Sequence, residues 1–405
     1  MNKNRVFGIA VAALLWSAFL FGAGWMGRSL LAGGESPRRP PAPTLYPATT
    51  NPLLDEVWGH VRESFVGAIP SDTVRNYGII RGALSSLNDR WTILVEPQPR
   101  AVEKDHMRGQ FGGIGVDIRV DDFGHIVMTP HKDSPAQKAG ILPGDILIGI
   151  DDLDLPDKPD LNEVAAHVRG NPGTAVHIRV LRADQRMEFV VNRANIDVPS
   201  TDWHIITDTI KPGFFIGYIG IHQFTERTGA EVKQALSELK QAGSQAYLID
   251  LRDNGGGLLN AAVDVTSRFL NDGVVLYERK HDQADVAFPV TRDSAAGAYR
   301  EPIVVLINGN TASASEIVAG AIQDAGRGKL IGEKSFGKGS VQSIYDLSDG
   351  SSVHITSAKW LTPNKRAIDG VGLTPDIAVV RAANEANDGK DSQLDRAMAA
   401  LREQK

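Results

Sequence analysis

The chain opens with Phe7 to Gly27, a run of twenty-one residues without a charge behind Lys3 and Arg5. That length suits a bilayer-spanning helix and exceeds the about 7 to 15 residues of a usual signal-peptide apolar region, which favours an uncleaved anchor. Ala32-Gly33-Gly34 keeps cleavage open, so residues 1–34 read as a membrane anchor or signal segment. Charge does not orient it, because Lys3 and Arg5 on one side face Arg28, Arg38 and Arg39 on the other. The Pro-rich stretch that follows reads as an extended, solvated tether over 35–50. Apolar residues then recur at helical spacing, first Leu54, Val57, Val61 and Phe65, then Val74, Ile79, Ile80 and Leu84. They predict a small helical region that ends near Pro97, in a segment assigned to 51–109.

Beyond Gly109 the period changes to short β-like runs, Gly115 to Val120 and His125 to Thr129. A short helix, a turn and a strand follow within 134–151, then a helical stretch around Leu161 to Val168. The turn Gly170-Asn-Pro-Gly leads into two alternating strands ending near Val191. This predicts a mostly-β domain over 110–196. Residues 215 to 385 alternate strand and helix: Phe215 to Ile221, Ala230 to Lys240, Ala246 to Leu251, Leu258 to Phe269, Val274 to Glu278, Ile303 to Asn308 and Ser315 to Ala325. That is an α/β pattern, assigned to 197–385. The tail, 386–405, is polar and then weakly helical, with no chemistry assigned to it.

Composition narrows the function. The 405 residues carry 43 Lys+Arg and 49 Asp+Glu, a formal charge of -6, which gives no electrostatic reason to expect nucleic acid as a partner. The chain has no cysteine, which excludes disulfides, thiolate metal sites and cysteine nucleophiles. No H-E-x-x-H occurs, and Asp151 to Asp160 lacks the glycine of a calcium loop and reads as solvated, so no metal or other cofactor is expected. Trp58, Trp91, Trp203 and Trp360 read as packing residues.

Three motifs carry candidate chemistry. Ile303-Val-Val-Leu-Ile-Asn-Gly-Asn-Thr-Ala-Ser-Ala-Ser-Glu predicts a buried strand running through a small-residue turn into a helix, where free N–H groups can stabilise an oxyanion beside a serine. The same residues spell a capping box, with Ser313 as cap and Glu316 as its return partner. Gly332-Glu-Lys-Ser-Phe-Gly-Lys-Gly-Ser-Val-Gln places Lys338 between glycines with Gln342 four residues on; a lysine kept neutral by burial can serve a serine as base. Gly332 to Lys338 also fits a phosphate-loop pattern, but glycine follows the lysine and the next segment reads as strand. Ala246-Tyr-Leu-Ile-Asp-Leu-Arg-Asp-Asn-Gly-Gly-Gly is a further strand-to-glycine-loop crossing, readable as a plain turn or as an oxyanion hole.

Together these residues resemble the carboxy-terminal processing peptidases, tail-specific serine proteases of S41 type with a Ser/Lys dyad. Thr311-Ala-Ser-Ala-Ser-Glu is similar to the family's nucleophile motif and Phe336-Gly-Lys-Gly-Ser-Val-Gln to its lysine motif, and the interval of 25 residues matches. The resemblance implies a crotonase/ClpP-like core, with Ser313 as nucleophile, Lys338 as general base and Gln342 positioning the lysine. Ser315 falls in the wrong register for that interval. The N–H groups of Ala314 and of a glycine in the loop, Gly256, would form the oxyanion hole. One departure stands out, since Asn254-Gly-Gly-Gly replaces the usual Asn-Pro-Gly-Gly and loosens that loop. The β domain resembles a PDZ domain, which implies capture of a C-terminal carboxylate at Gly112, Gly113, Ile114, Gly115 and Val116, with Ile114 and Val116 lining an apolar pocket.

The resemblance therefore implies a serine endopeptidase acting on proteins with apolar C-termini, with an extracytoplasmic catalytic part held to the membrane by residues 7–27 or released if that segment is cleaved. A homo-oligomer or an activating partner stays open. Two other readings compete: a membrane-anchored PDZ adaptor that binds without cutting, and a Ser-His-Asp hydrolase using His222 or His354. The first leaves Ser313, Lys338 and Gln342 unexplained, and the second lacks a G-x-S-x-G elbow.

Overall fold

The computed structural model describes residues 51–156, 159–291, 299–382, 385 and 389–404. The apolar run 7–27 and the tether lie outside them; among the described residues no helix is long and apolar enough to cross a membrane.

Helix α1 (Pro52–Ser64) starts at Asn51, whose Oδ1 accepts the Leu54 N–H at 3.2 Å, and has no buried residue. Helix α2 (Asp72–Ser85) buries only Tyr77, whose hydroxyl donates to Asp349. Strand β1 (Ile93–Val95) follows, then α3 (Pro97–Arg108). The helical region was expected to end near Pro97, but Pro97 opens α3 instead. A proline at the first helical position gives up an N–H that has no intrahelical acceptor anyway. Gly109, at φ 68°, ends that helix, and its inner face buries Arg100, Glu103 and Met107.

Strand β2 (Gln110–Gly113) leads into the β domain: β3 (Val116–Val120), β4 (Ile126–Pro130), α4 (Pro135–Ala139), β5 (Ile146–Ile150), β6 (Leu153–Asp154), α5 (Leu161–Val168), β7 (Ala175–Arg182) and β8 (Gln185–Asn192). Its sheet runs β3-β4-β5-β7-β8, with β3 at one edge. Strand β9 (Ala194–Asp197) returns antiparallel to β2, so a two-stranded stalk joins the domain to the rest. Arg193 fastens the stalk to the domain by donating to the carbonyls of Val168, His167 and Ala175.

The core comprises β10 (Thr201–Thr207), β11 (Phe215–Ile221), α6 (Thr228–Gln241), β12 (Ala246–Asp250), α7 (Leu259–Ser267), β13 (Val274–Arg279), β14 (Val286–Pro289), β15 (Ile303–Ile307), α8 (Ala314–Asp324), β16 (Gly328–Gly332), β17 (Ser340–Asp346), β18 (Ser352–Leu361), β19 (Ile377–Ala378) and α9 (Ser392–Glu403). A six-stranded sheet runs β10-β11-β12-β15-β16-β19 and is parallel from β11 onward. Every residue of β12 and β15 is buried. Continuous apolar runs are what a parallel strand covered on both faces requires. Ile303, Val305 and Ile307 enter the core formed with α6, α7 and α8, whereas Val304 and Leu306 meet α9 on the other face. A second, antiparallel sheet runs β1-β18-β13-β14, with β17 paired to β18. The N-terminal segment thus contributes a strand to this second sheet.

The residues read as a weakly helical tail instead supply part of the core. Ala397 and Leu401 of α9 are fully buried against β12, β15 and β16, and Arg402 pairs with Asp208 at 2.7 Å. The helix is short and half polar, so its sequence alone shows little of this. Leu401→Ala is expected to cost about 2–5 kcal/mol of core stability, seen as a lowered denaturant midpoint at unchanged slope.

Candidate active site

The site forms where the parallel sheet hands over to the antiparallel one. After β15 the chain turns through residues 308–312 into α8. Thr311 organises this turn: its hydroxyl donates to the Leu251 carbonyl at 2.8 Å and accepts the Asn308 N–H at 2.9 Å. The glycine loop after β12 is stitched to the same turn, because the Asn254 carbonyl accepts from Ala312 N–H at 3.0 Å and from Ser315 Oγ at 2.9 Å. Ser315 is thereby committed to holding the loop.

Ser313 caps α8 with φ 62° and ψ -117°, a left-handed conformation that a non-glycine residue rarely adopts. It is 1% exposed, and its Oγ has no hydrogen-bond partner among the described residues. Its N–H donates to Glu316 Oε2 at 2.8 Å. Both sides of a capping box are thus in place, but only the Glu316 side is a full hydrogen bond: Ser313 Oγ faces the first turn of α8 without making one. Ala314 opens the helix, so its N–H has no intrahelical acceptor. Gly256 lies beside both residues: at φ +107°, a Cβ there would come 2.7 Å from Ser313 Cβ and 3.0 Å from the Ala314 nitrogen. The Gly256 N–H itself donates to Asn254 Oδ1 at 2.9 Å. In this arrangement it is turned to its own loop.

Lys338 sits on the loop between β16 and β17 and is 3% exposed. Burial pushes its amine down to about 8; the nearby charge of Arg90 acts in the same direction, and Glu103 and Glu316 oppose it. Its Nζ lies 4.3 Å from the centre of the Trp91 ring. The loop is locked to the serine turn by the Phe336 N–H, which donates to the Thr311 carbonyl at 2.9 Å. Glu316 makes the second lock. Its Oε1 accepts from Ser335 Oγ and the Gly337 N–H at 2.6 and 2.7 Å, and its Oε2 accepts from the Lys338 N–H at 2.9 Å as well as from Ser313. Desolvation pushes this fully buried carboxyl upward, while the four donors pull it back.

Gln342 is fully buried at a bulge in β17, with its Nε2 donating to the Trp91 carbonyl and its Oε1 without a partner among the described residues. Behind it lies a second buried group. The Glu103 carboxylate bonds Arg100 at 2.9 Å, and His354 Nε2 stands 2.8 Å from Ser352 Oγ and 3.5 Å from Glu103 Oε2. Burial, then the charges of Arg100 and Lys338, push His354 down to about 4. Serine, histidine and carboxylate meet here, but both contacts fall on Nε2 and Ser352 is fully buried within β18. A relay needs the carboxylate on the other ring nitrogen. His222 pairs with Asp202 at 2.6 Å. The histidine alternative thus finds no suitable geometry. Among the described residues no group of three or more His, Asp or Glu side chains is placed to hold a metal ion.

The sequence motifs brought Ser313, Lys338, Gln342, Ala314 and Gly256 into view, and the fold gathers all five. Trp91, Arg90 and Glu103 were not read as part of the site, since only the β1–β18 pairing carries them there. In the β domain, Gly112 and Gly113 belong to the stalk, paired with Asn195 and Ala194. Gly112 approaches Gly170 so closely that a Cβ would lie 2.0 Å from its carbonyl oxygen. Gly115 turns at φ +70° and Val116 begins the edge strand. Ile114 was expected to line a pocket; its side chain is instead 1% exposed in the domain core, because the turn at Gly115 directs it inward.

A serine in a strained turn and a buried lysine on an adjoining loop are thus tied together through Glu316. The family model of peptidase family S41 matches residues 215–379, and that of the PDZ domain matches residues 112–192. The chain is 34% identical over 335 residues to a carboxyl-terminal-processing protease of Synechocystis, covering 80% of this chain and 77% of that protein. It is 35% identical over 347 residues to a carboxy-terminal-processing protease of Bartonella bacilliformis, covering 84% and 77%. A solved photosystem II D1 C-terminal processing protease aligns with a TM-score of 0.47 at 30% identity, over 80% of this chain and 86% of that one. The chain belongs to peptidase family S41. It is a serine-type peptidase with an α/β core, a PDZ domain ahead of it and N-terminal helices.

The close approach of Gly256 to Ser313 gives a direct test. Gly256→Ala forces a shift of the Ser313 turn, so serine labelling by a fluorophosphonate should slow on the order of 10²-fold or more. Labelling at the wild-type rate would show that the turn tolerates the added methyl.

Proposed function

We propose that this peptidase takes hold of protein C-termini through its PDZ domain and cuts peptide bonds with Ser313 as nucleophile and Lys338 as general base. The observation that carries the reading is the coupling of the two: a lysine whose amine is held down to about 8 by burial sits on a loop tied through Glu316 to the backbone of Ser313. Ser313 Oγ attacks the peptide carbonyl, Lys338 takes its proton and later gives it to the leaving amine, and water then releases the acyl group. The N–H of Ala314 and an N–H of the glycine loop, Gly256 being the candidate, receive the oxyanion. For the Gly256 N–H this requires release from Asn254 when substrate arrives. Gln342 is assigned to position the lysine from the side of β17, for which its Oε1, without a partner among the described residues, must take up the amine. No step calls for a metal.

In the PDZ domain, β3 offers a free edge to which an extended peptide can add as a strand, and the turn at Gly115 gathers N–H groups for a terminal carboxylate. We place the catalytic part outside the cytoplasm. The segment 7–27 tethers it there, unless cleavage releases it.

Ser313→Ala and Lys338→Ala should each abolish cleavage of a loosely folded protein with an apolar C-terminus, while binding of that protein persists. Equal cutting by all three forms would remove both residues from the mechanism, and binding without cutting by the wild type would favour the adaptor. The base must be neutral to act, so kcat/KM should fall about tenfold per pH unit below about pH 8 and level off above it. A flat profile down to pH 6 would exclude Lys338 as base. Amidation of the substrate's C-terminus should raise KM with little change in kcat, and no change in either would exclude carboxylate capture.

A further inference from the structure

Trp91 belongs to the N-terminal segment, outside residues 215–379, yet it touches both residues on the lysine side of the site. Its ring centre lies 4.3 Å from Lys338 Nζ, well inside the range of an attractive cation–π contact. Its carbonyl accepts from the Gln342 amide. The ring meets Phe336 edge-on at 6.3 Å, and the Arg90 guanidinium lies 4.5 Å from the indole and 5.7 Å from the Phe336 ring. Trp91 is no loose cap. Its backbone N–H donates to Asp89 Oδ1 at 3.2 Å, Asp89 Oδ2 accepts from Thr92 Oγ1 at 2.6 Å, and that hydroxyl accepts the Thr356 backbone N–H at 3.1 Å. Two residues on, Ile93 is in register with His354.

An aromatic face suits a base that must change charge during turnover. A carboxylate set against the amine would favour the ammonium and withhold the proton from the leaving group. Water would do the same and let the side chain wander. The indole face attracts the ammonium far more weakly than a full opposite charge would, shields that side of the amine from water, and itself presents no oxygen that competes for the proton. We propose that Trp91 is a positioning residue for Lys338, its ring setting the amine and its carbonyl setting Gln342, so that the N-terminal segment completes the catalytic site. The proposal rests on the Ser/Lys reading for its kinetic consequence, but the contact itself can be measured without it.

The full-length chain, labelled with ε-¹³C-lysine and assigned with Lys338→Arg, reports the contact by NMR. The ε-CH₂ signal of Lys338 should lie upfield of the other lysines through the ring current of Trp91, lose that displacement in Trp91→Leu and keep most of it in Trp91→Phe. With β-casein as substrate, Trp91→Leu should lower kcat about tenfold or more at nearly unchanged KM, and Trp91→Phe should recover to within about threefold of wild type. Substitution leaves the backbone carbonyl in place, so the side chain is tested alone. Wild-type kcat in Trp91→Leu beside an inactive Lys338→Ala would overturn the proposal and leave the dyad standing. Equal losses in the Leu and Phe variants with equal falls in Tm would make Trp91 a packing residue only, as would an undisplaced ε-CH₂ signal in the wild type. Should Trp91→Leu not fold, Trp91→Met answers to the same criteria. If Lys338→Ala cuts as well as wild type, or the wild type does not cut, the dyad reading has failed and the ring-current comparison decides the contact.

Discussion

One buried carboxylate sets the geometry of this enzyme. Glu316 accepts from the N–H groups of Ser313, Gly337 and Lys338 and from Ser335 Oγ. Hydrogen bonds to a charged group are worth about 1.5–3 kcal/mol each, against a desolvation cost of several kcal/mol for the ion, so no single donor offsets the burial of this carboxylate and the four together do. That condition fixes the first turn of α8 against the lysine loop. It also dissolves an opposition that the sequence poses. Ser313 as helix cap and Ser313 as nucleophile look like rival roles, yet the cap is closed from the Glu316 side, which leaves the serine oxygen to the site.

The tie explains why the site can straddle two sheets. Ser313 follows the parallel strand β15, and Lys338 stands where the chain crosses from β16 to β17 of the antiparallel sheet. Two independently packed layers would let these two side chains drift apart. Glu316, the Phe336-to-Thr311 bond and the Trp360 Nε1–H donated to the Lys338 carbonyl at 3.0 Å hold them together. The strain of Ser313 persists because these contacts over-determine its position.

Much of this was legible in the chain. The run 303–307 announces a strand buried on both faces, and the small residues after it announce a turn into a helix, since both are local consequences of side-chain size and period. Glycines on either side of Lys338 point to close backbone approach, and a Cβ on Gly339 would indeed meet Asp369 backbone nitrogen at 2.8 Å. What was not legible depends on distant partners. Trp91 reads as an ordinary packing tryptophan until β1 pairs with β18. Glu103 and Arg100 look like surface charges of a helix until that helix lies on Asp346 and His354. Ile114 and the α9 residues were misjudged for a related reason: which way a side chain faces at a turn or on a short, half-polar helix is decided by the neighbours the fold supplies.

The packing of α9 makes the glycine loop and the core one unit. Leu401 of this helix fills the core, and its cap, Asp391, accepts from Arg252 at 2.9 Å, two residues before Asn254. Arg252 in turn grips Asp250 at the end of β12. Unwinding of the helix would therefore do more than open a cavity: it would free the arginine that anchors the loop, so fraying far from Ser313 and loosening beside it are the same event.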